Sequence, residues 1–561
     1  MTSQEKEPTT EQDTSEASST PESTSKDVKE VAAPKPTKRT KSPGLFRGYG
    51  DGKLLALRFG AVALTAISQP LLSAPFNWWP WHWFAWVPFL WAITAQEGKG
   101  RWLLGLFGGT ASNLMIFYWV VNLMPNFSNI PFHVAVLLTT LLCMYLSLLW
   151  VLLAQWIPKL LRTFPNGWVL LAPCTLVTLE YLMPQLFPYM QGVSHYQVIP
   201  LVQLSSITGI YGVSFLVFWS NTILFQWWLL QRQGQPGPKK QAIAIAIVVI
   251  LTVAYGFSRQ QMYDKLLPKA KRLKVGLIQS NYTPHDHRKK TFTEVFGTYL
   301  KLSKQAADQG ADWVIWSEGE FKRPLSSKSA KNLLAMAVRK VKVPILLGGY
   351  DLKRRKNGRY VIFNSAIHVD RKGKMGPRYD KQILVPFGEY MPFEKELNFI
   401  YKKISWFSRF SRGKSIGVYS LDKVSYGFLI CYEAIYPTRV RRSVNAGAKV
   451  LINITYDAWF GKTTAPYQHL MLAATRSAEY GIPLIRLATT GSSTVVNALG
   501  KNSTLSPIFQ RKVLMYDVPL VQLPSFYARV GDLFALLCLS FAFIALLSPA
   551  PNLSSSKESN A

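Results

Sequence analysis

Long apolar runs separated by short polar or basic segments fill the first half of the chain and return near its end. A helix needs about 20 mostly apolar residues to cross the hydrocarbon core of a bilayer. The runs predict about eight membrane-spanning helices, at residues 54–74, 78–97, 102–123, 131–157, 167–189, 208–231, 240–258 and 530–548. A soluble protein with buried core helices is disfavoured, because too many of the runs are too long.

The one long polar stretch, residues 261–527, has a different pattern. Short β-branched runs alternate with amphipathic helical segments, which is typical of an α/β sandwich. The predicted strands are Leu273–Gln279, Asp312–Trp316, Val343–Gly348, Ser425–Ile430 and Lys449–Ile454, with a hairpin formed by Tyr360–Asp370 and Lys374–Leu384. The fold class predicted is therefore an α-helical membrane bundle of about eight spans plus an extramembrane α/β domain.

These patterns divide the chain into five parts. Residues 1–45 are rich in Ser, Thr, Glu, Lys and Pro and cannot bury enough apolar surface to fold, so a disordered cytoplasmic tail is expected. Residues 46–260 are predicted to hold seven spans, 261–527 the α/β domain, 528–550 the last span and 551–561 a second cytoplasmic tail.

Loop charges predict the orientation in the membrane. Lys and Arg precede the first predicted span, follow the second and fourth, and lie between the sixth and seventh. The loops Pro125–Pro131 and Gln191–Gln197 carry neither residue. Short cytoplasmic loops carry the excess of Lys and Arg, so the N-terminus is predicted inside and residues 261–527 outside.

The chain of 561 residues has a formal net charge of +33, and much of the surplus lies in the α/β domain. Nucleic acid is one conceivable partner for such a surface. Anionic lipid is the better one for a domain tethered to a bilayer at both ends, and a merely solvated surface also remains open. We therefore expect the membrane, and no nucleic acid, as a partner. The cluster Lys353–Arg359 is predicted to be an exposed hairpin tip that contacts anionic lipid.

One of the four cysteines stands apart from the others. Cys143, Cys174 and Cys538 lie in apolar runs, whereas Cys431 lies in the polar domain without a second cysteine there. A disulfide within that domain is thus excluded, and two interpretations stay open: a buried small hydrophobe or a nucleophilic thiol. Cys431 ends a predicted strand and begins a helix, where the field of the helix N-terminus would favour thiolate.

Two further ionisable groups also follow predicted strands. Glu318 comes after Trp313–Ser317, and Lys381 lies in the second arm of the hairpin. Taken alone, either side chain is better explained as a member of an ion pair. Together with a thiol they form a nucleophile, a proton acceptor and a cation for a developing oxyanion, which is what acyl transfer requires.

The order Glu, Lys, Cys, with a strand before each, is similar to the nitrilase superfamily. Within that superfamily several segments resemble bacterial apolipoprotein N-acyltransferase. They are LVPFGEY at 384–390, ICYE at 430–433, DAWFG at 457–461, Gln468-His469 and Thr475–Ser477. The resemblance covers roughly residues 50 to 550. It implies an αββα sandwich placed between the seventh and eighth spans, on the outer side of the bacterial inner membrane.

The resemblance also implies roles for seven residues. Glu318 would be the general base, Lys381 the oxyanion stabiliser and Cys431 the nucleophile. Glu389 and Glu433 would orient the lysine and nearby backbone, and Tyr432 and Trp459 would line the entrance to the site. Two departures from the family pattern put substrate preference in doubt: Ser317 stands where proline is common, and Tyr456 where asparagine is frequent.

The implied reaction has two steps. Cys431 takes an acyl chain from a phospholipid as a thioester, and the N-terminal amine of a diacylated apolipoprotein then receives it. No cofactor and no metal are expected, because His285 and His287 lie in a polar loop that is better explained as a solvated turn. A monomer is expected. A membrane-tethered hydrolase and a non-catalytic lipid-binding paralogue remain as alternatives.

Overall fold

The computed structural model describes residues 51–549, apart from 97, 129, 355–359, 391, 393–395 and 397–409. The predicted tails 1–45 and 551–561 lie outside the described residues, as does most of the predicted tip Lys353–Arg359. The hypothesis that this tip contacts lipid therefore stays a prediction.

The first half of the chain is helical. Its helices are α1 (Asp51–Leu72), α2 (Val87–Thr94), α3 (Gly98–Phe117), α4 (Val120–Ser128), α5 (Phe132–Leu146), α6 (Leu148–Thr163), α7 (Trp168–Leu182), α8 (Ile199–Val202), α9 (Ser205–Thr208), α10 (Tyr211–Arg232) and α11 (Lys239–Leu266). Short 3-10 helices occur at Trp79–Trp83 and Gln191–His195.

Four helical stretches among the described residues are long and apolar enough to cross a membrane. They are Gly52–Leu72, Phe132–Thr163, Tyr211–Arg232 and Lys239–Lys269, and α3 with α4 makes a fifth if this pair, bent by 51°, is one broken span. The eight predicted spans are thus not confirmed, although an apolar membrane bundle is supported.

Proline explains where two predicted spans are interrupted. The run 78–97 is divided into a 3-10 helix with Pro80 near its start and the eight-residue helix α2, which has Pro88 near its start. Proline lacks the N–H that would continue the preceding turn. The run 167–189 is helical only to Leu182, two residues before Pro184, and α7 has 15 residues.

The second half of the chain alternates strands and helices. Its strands are β1 (Arg272–Gln279), β2 (Trp313–Trp316), β3 (Ile345–Arg354), β4 (Tyr360–Val369), β5 (Tyr379–Asp380), β6 (Val418–Leu421), β7 (Val424–Ile430), β8 (Val450–Thr455), β9 (Leu484–Ala488), β10 (Thr494–Val496) and β11 (Lys512–Pro519). Its helices are α12 (Pro284–Lys289), α13 (Phe292–Asp308), α14 (Lys328–Val341), α15 (Pro437–Asn445), α16 (Ala465–Tyr480), α17 (Phe526–Val530) and α18 (Leu533–Leu547).

Two sheets form the α/β domain. One has the order β11-β1-β2-β3-β4-β5 and the other β10-β9-β8-β7-β6. Within them, β1, β2 and β3 are parallel neighbours, as are β7, β8 and β9. The second arm of the predicted hairpin is much shorter than expected, because only Tyr379–Asp380 pairs with β4 as a strand. The six predicted strand positions are otherwise occupied by β1, β2, β3, β4, β7 and β8.

A buried apolar layer lies between the two sheets. Residues from the first sheet, such as Val275 and Ile315, and from the second, such as Phe428 and Ile452, belong to one hydrophobic cluster. A separate cluster packs α13 and α14 against the outer face of the first sheet. On the other side, α16 shares a cluster with the helices of the first half. The α/β domain therefore has the predicted helix–sheet–sheet–helix layers, and one helical layer also contacts the membrane bundle.

Candidate active site

The predicted nucleophile Cys431 lies where β7 turns into a 3-10 helix, Cys431–Ile435. Its φ of +52° falls in the left-handed region, which a residue with a side chain seldom adopts. The turn is held by neighbouring groups, since the amide of Asn453 donates to the carbonyls of both Leu429 (3.1 Å) and Cys431 (3.2 Å). Strain of this kind is typically retained where the backbone must aim a functional side chain.

Glu318 is buried just past the end of β2 and is hydrogen-bonded through both oxygens. The amide of Asn364 donates to Oε1 at 2.7 Å, and the backbone N–H of Tyr456 donates to Oε2 at 2.9 Å. The Cys431 thiol lies close enough for the charge of Glu318 to raise its pKa. Burial raises the pKa of Glu318 and the charge of Glu389 raises it further, while Lys381 opposes the shift. A raised pKa makes this carboxylate a stronger base than an exposed one.

Lys381 is buried between two carboxylates. Its Nζ atom lies 2.9 Å from Oε1 of Glu389 and 3.5 Å from Oε1 of Glu318. Burial by itself would lower the pKa of Lys381, but the two carboxylates outweigh it and the pKa is raised. The side chain is therefore a fixed ammonium beside the thiol. Glu389 is itself positioned by the backbone N–H of Val385, which donates to Oε2 at 2.9 Å.

The thiol of Cys431 is half-buried and, at rest, protonated. Burial raises its pKa, the charges of Glu318 and Asp457 add to the shift, and Lys381 only partly offsets it. The expectation that a helix N-terminus favours thiolate is thus wrong here. The helix that follows has five residues and its small dipole is outweighed by desolvation and nearby carboxylates. A base must remove the thiol proton during attack.

Glu433 joins the segment that carries Cys431 to the segment that carries Lys381. One oxygen accepts from the backbone N–H of Ile430 at 2.8 Å. The other accepts from the backbone N–H of Gln382 at 2.7 Å and from the Tyr379 hydroxyl at 2.6 Å. The side chain is fully buried. Glu433 thus joins the backbone on both sides, and its orienting role in catalysis stays a prediction.

The two departures from the family pattern both support Glu318. The Ser317 hydroxyl lies 3.0 Å from the Tyr299 hydroxyl and accepts from Thr489 at 2.9 Å. Tyr456 donates its backbone N–H to Glu318, as described above, and its hydroxyl donates to the carbonyl of Tyr282 at 3.1 Å. Neither Ser317 nor Tyr456 replaces one of the predicted catalytic side chains. Both connect the segment around Glu318 to neighbouring strands and loops.

A second buried network lies behind Cys431. Asp457 accepts from Thr455 at 2.8 Å and from Arg486 at 2.7 Å, and its Oδ1 lies 3.1 Å from Nδ1 of His469. Burial alone would raise the pKa of Asp457, but Arg486 and His469 outweigh it and the pKa is lowered. Arg486 also donates to Asn453 at 2.5 Å, which connects this network to the Cys431 turn.

The two predicted entrance residues are differently placed. The hydroxyl of Tyr432 donates to the carbonyl of Leu186, in the segment after α7, and accepts from Tyr436 at 2.5 Å. Tyr432 therefore connects the α/β domain to the helical bundle. The ring of Trp459 lies 5.3 Å from that of Tyr456, the residue whose backbone N–H bonds to Glu318. Contact of either side chain with a substrate stays a prediction.

Asn364 is a member of the site that sequence reasoning missed. Its amide donates to Glu318 at 2.7 Å and to Glu389 at 3.0 Å, which fixes the two carboxylates around Lys381. The sequence did contain a hint of this role: two adjacent polar residues, Asn364 and Ser365, interrupt the otherwise largely apolar strand β4.

The loop with two histidines is more structured than expected. His287 lies in α12 with its Nε2 atom 3.3 Å from Oε2 of the buried Glu320, so a solvated turn is the wrong description of this residue. Within the described part of the chain, no three His, Cys, Asp or Glu side chains are grouped in a way that could hold a metal ion.

Two family models match the chain. One is described as carbon-nitrogen hydrolase and matches residues 274–526, and the other as apolipoprotein N-acyltransferase N-terminal domain and matches residues 65–223. The apolipoprotein N-acyltransferase of Geobacter metallireducens is 33% identical over 459 residues, covering 79% of this chain and 85% of that protein. The protein of the same name from Bdellovibrio bacteriovorus is 28% identical over 420 residues, covering 71% and 76%.

Among solved structures, the chain is similar to a carbon-nitrogen hydrolase from Helicobacter pylori G27, with a TM-score of 0.35 and 16% identity over 45% of this chain and 90% of that one. It is also similar to an amidase from Nesterenkonia sp., with a TM-score of 0.35 and 19% identity over 46% and 94%.

Proposed function

The chain belongs to the apolipoprotein N-acyltransferase family of the nitrilase superfamily, and on this premise we propose that it transfers a fatty acyl chain from a phospholipid to the N-terminal amine of a diacylated apolipoprotein. The acyl chain is carried as a thioester on Cys431. Glu318 acts as general base and Lys381 stabilises the oxyanion.

The first half-reaction follows from the contacts of the three side chains. Glu318 takes the thiol proton as sulfur attacks the ester carbonyl of the phospholipid. The Lys381 ammonium lies where negative charge then develops, and a fixed donor in a site with little water is worth about 3–4 kcal/mol in the transition state. Glu318 returns the proton to the departing alcohol oxygen, which gives a lysophospholipid and the thioester.

Contacts with the helical bundle support a lipid substrate. Trp119, at the bend between α3 and α4, donates its indole N–H to Gln468 at 3.0 Å, and the Gln468 amide donates to the carbonyl of Ile116 at 3.2 Å. Tyr432, next to Cys431, bonds to the carbonyl of Leu186. The site therefore adjoins helices whose outer faces expose large apolar side chains, so an acyl chain has a short path from the bilayer.

The loop charges support the proposed orientation in the membrane. With seven spans in residues 46–260 and one in 528–550, the protein is a multi-pass protein of the bacterial inner membrane. Its catalytic domain, residues 261–527, then faces the periplasm. Both substrates are lipids anchored in the membrane, which is consistent with a site directly above the outer leaflet.

The observation that carries the proposal is the buried ion pair of Lys381 with Glu318, at 3.5 Å, beside Cys431, whose thiol pKa is shifted by the charges of both side chains. The test is intact-mass measurement of the full chain in detergent micelles after incubation with a phospholipid. We expect a hydroxylamine-sensitive acyl adduct on the wild type, and no adduct on Cys431→Ala.

Product analysis then separates the proposal from its alternatives. After addition of a synthetic S-diacylglyceryl-cysteine peptide, N-acylated peptide supports acyl transfer, whereas free fatty acid indicates a hydrolase. Absence of any adduct on the wild type would identify a non-catalytic lipid-binding protein. Cys538→Ala, which removes a buried cysteine in α18, is the matched control and should keep the adduct.

A further inference from the structure

His469 forms a buried pair with Asp457 close to Cys431. Nδ1 of the ring lies 3.1 Å from Oδ1 of Asp457, and the charge of Asp457 raises the pKa of the Cys431 thiol. Asp457 is held as a carboxylate by Arg486, whose guanidinium donates to its other oxygen at 2.7 Å. A carboxylate that faces Nδ1 sets the ring proton on that nitrogen, and Nε2 is then left with its lone pair.

The Nε2 atom of His469 has a lone pair that the described residues leave unused. It is buried, and none of the described residues forms a hydrogen bond with it. His469 lines a small cavity of about 10 Å³, enough for one group the size of a water molecule or an amine. The other lining side chains are largely aromatic, including Phe117, Phe187 and Phe460.

The charge state of the ring suits proton acceptance. Burial lowers the pKa of His469, and the neighbouring Arg486 charge lowers it further, while Asp457 opposes the shift. The imidazole is therefore neutral at neutral pH. Gln468 does not compete for the cavity, because its amide already bonds to Trp119 and to the carbonyl of Ile116.

The second half-reaction takes two protons from the acceptor amine, and only one of them ends on the sulfur of Cys431. An N-terminal α-amine has an ordinary pKa of about 7.7–8.0 and arrives largely as an ammonium. It loses one proton before it can attack and a second as the amide forms. Glu318 carries one proton at a time, and it must protonate the departing thiolate. A second acceptor near the thioester takes the proton that does not end on sulfur, which leaves Glu318 to protonate the departing thiolate.

We propose that His469 is the proton acceptor for the acceptor amine, and that its cavity receives the α-amino group of the apolipoprotein. This inference rests on the function proposed above and concerns only the second half-reaction.

Each proton in this step has a defined donor and acceptor. Nε2 of His469 takes one proton from the ammonium, and the neutral amine nitrogen attacks the thioester carbonyl. Glu318 takes the second proton from that nitrogen as the C–S bond breaks, and passes it to the sulfur of Cys431. The products are the amide, the free thiol and an imidazolium, which releases its proton to solvent.

The test separates the two half-reactions in His469→Asn. Asparagine keeps an N–H for Asp457 but has no second ring nitrogen. The full chain is acylated with phospholipid, the S-diacylglyceryl-cysteine peptide is added, and adduct formation and decay are followed by intact mass. We expect adduct formation near the wild-type rate and transfer slowed by about 100-fold, within the range of general-base catalysis.

His368→Asn is the matched control. His368 is also buried, it lies four residues along β4 from Asn364, and its Nδ1 is 2.5 Å from the Tyr426 hydroxyl. This variant should keep both half-reactions. Equal slowing of both half-reactions in His469→Asn, or an unchanged transfer rate, would overturn the inference. A wild type that forms no adduct would instead overturn the proposed function and, with it, this inference.

A rate measurement at alkaline pH distinguishes a base from a structural support. Once the α-amine is already neutral, a missing proton acceptor matters less. The deficit of His469→Asn should therefore shrink as the pH rises above about 8, the ordinary pKa of the amine. A deficit that stays constant with pH would show that His469 acts only on the structure.

Discussion

Glu433 accepts a hydrogen bond from the backbone N–H of Ile430, at 2.8 Å, and so fixes the residue before Cys431. Its other oxygen accepts from the N–H of Gln382, the residue after Lys381. A single buried carboxylate thus sets the distance between two segments that are far apart in the chain. This arrangement accounts for why the left-handed turn at Cys431 is retained.

Glu433→Gln should therefore impair both the activity and the stability of the protein. The amide keeps one acceptor but points N–H groups at backbone donors, and an unsatisfied buried group costs about 1–3 kcal/mol. We expect a loss of this size in the free energy of unfolding, and a loss of at least tenfold in adduct formation. Thermal unfolding and intact mass measure the two quantities.

Asp517→Asn provides the comparison for Glu433→Gln. Asp517 forms an exposed ion pair with Arg272 at 2.6 Å. Both residues are far along the chain from the segments that carry Lys381 and Cys431. An exposed ion pair contributes about 0–1 kcal/mol, so this variant should change neither quantity much. If Glu433→Gln behaved like Asp517→Asn, the positioning role of Glu433 would be wrong.

Lys381→Met should slow acylation strongly and destabilise the protein. The substitution leaves Glu318 and Glu389 buried without the ammonium between them, and an uncompensated buried charge costs about 3–5 kcal/mol. Loss of one preorganised oxyanion donor lowers the rate by about 10²–10³-fold. Adduct formation by intact mass checks the rate, and chemical denaturation checks the stability.

The double variant Lys381→Met with Glu389→Gln separates these two effects. Removal of one carboxylate relieves the charge imbalance, so part of the stability should return. The missing cation is not replaced, so acylation should remain slow. Recovery of activity together with stability would show that Lys381 has a structural role alone.

The pH dependence of acylation should report the raised pKa of Glu318. Burial and the charge of Glu389 raise that pKa, and a general base works only when it is ionised. The rate of adduct formation should therefore fall, as the pH decreases, at a higher pH than an ordinary glutamate would allow. Intact-mass measurement of samples quenched at set times, over a series of pH values, gives this profile.

Glu389→Gln should move the acidic limb of this profile to lower pH. The substitution removes a negative neighbour and leaves the Lys381 ammonium to pair with Glu318 alone, and both changes favour the ionised carboxylate. A limb that moved to higher pH, or that did not move, would exclude Glu318 as the titrating base.

The candidate site could be located in the sequence because each of its predicted catalytic residues lies at or just past the end of a strand. Glu318 and Cys431 follow apolar β-branched runs, β2 and β7, which lie in the two sheets that face each other across a shared apolar layer. Asn364 was missed because its role depends on the pairing of β4 with β3 and β5, which no local pattern reveals. The pKa of Cys431 was misjudged for a similar reason, since it depends on burial and on Glu318 rather than on the helix that follows.

The membrane half was less predictable than the site. Hydropathy identified the apolar runs, but a run does not state whether its helix is continuous. Pro80 and Pro88 divide one predicted span, and α3 and α4 are bent by 51° at residues 118–119. At that bend Trp119 donates a hydrogen bond to Gln468 of the α/β domain. The position of the bend therefore depends on a contact between distant parts of the chain, which hydropathy alone does not reveal.

Gly348→Ala should displace Glu318 through the backbone. A Cβ atom at Gly348 would lie 2.8 Å from the Cα of Glu318 and 2.9 Å from the carbonyl oxygen of Ser317. Both atoms belong to main chain and cannot rotate away, so overpacking of about 1–3 kcal/mol is expected. The shift of Glu318 away from the thiol should slow adduct formation by at least tenfold, because reacting groups must be held within about 0.5 Å of the productive geometry.

Gly297→Ala is the matched control for this substitution. Gly297 lies on the exposed face of α13, and a Cβ atom at this position would have no atom beyond its own turn of helix within 4 Å. Alanine in a helix is favoured over glycine by about 0.5–1 kcal/mol, so this variant should raise the midpoint of thermal unfolding slightly and leave acylation unchanged. Equal activity of Gly348→Ala and Gly297→Ala would mean that the position of Glu318 does not limit the reaction.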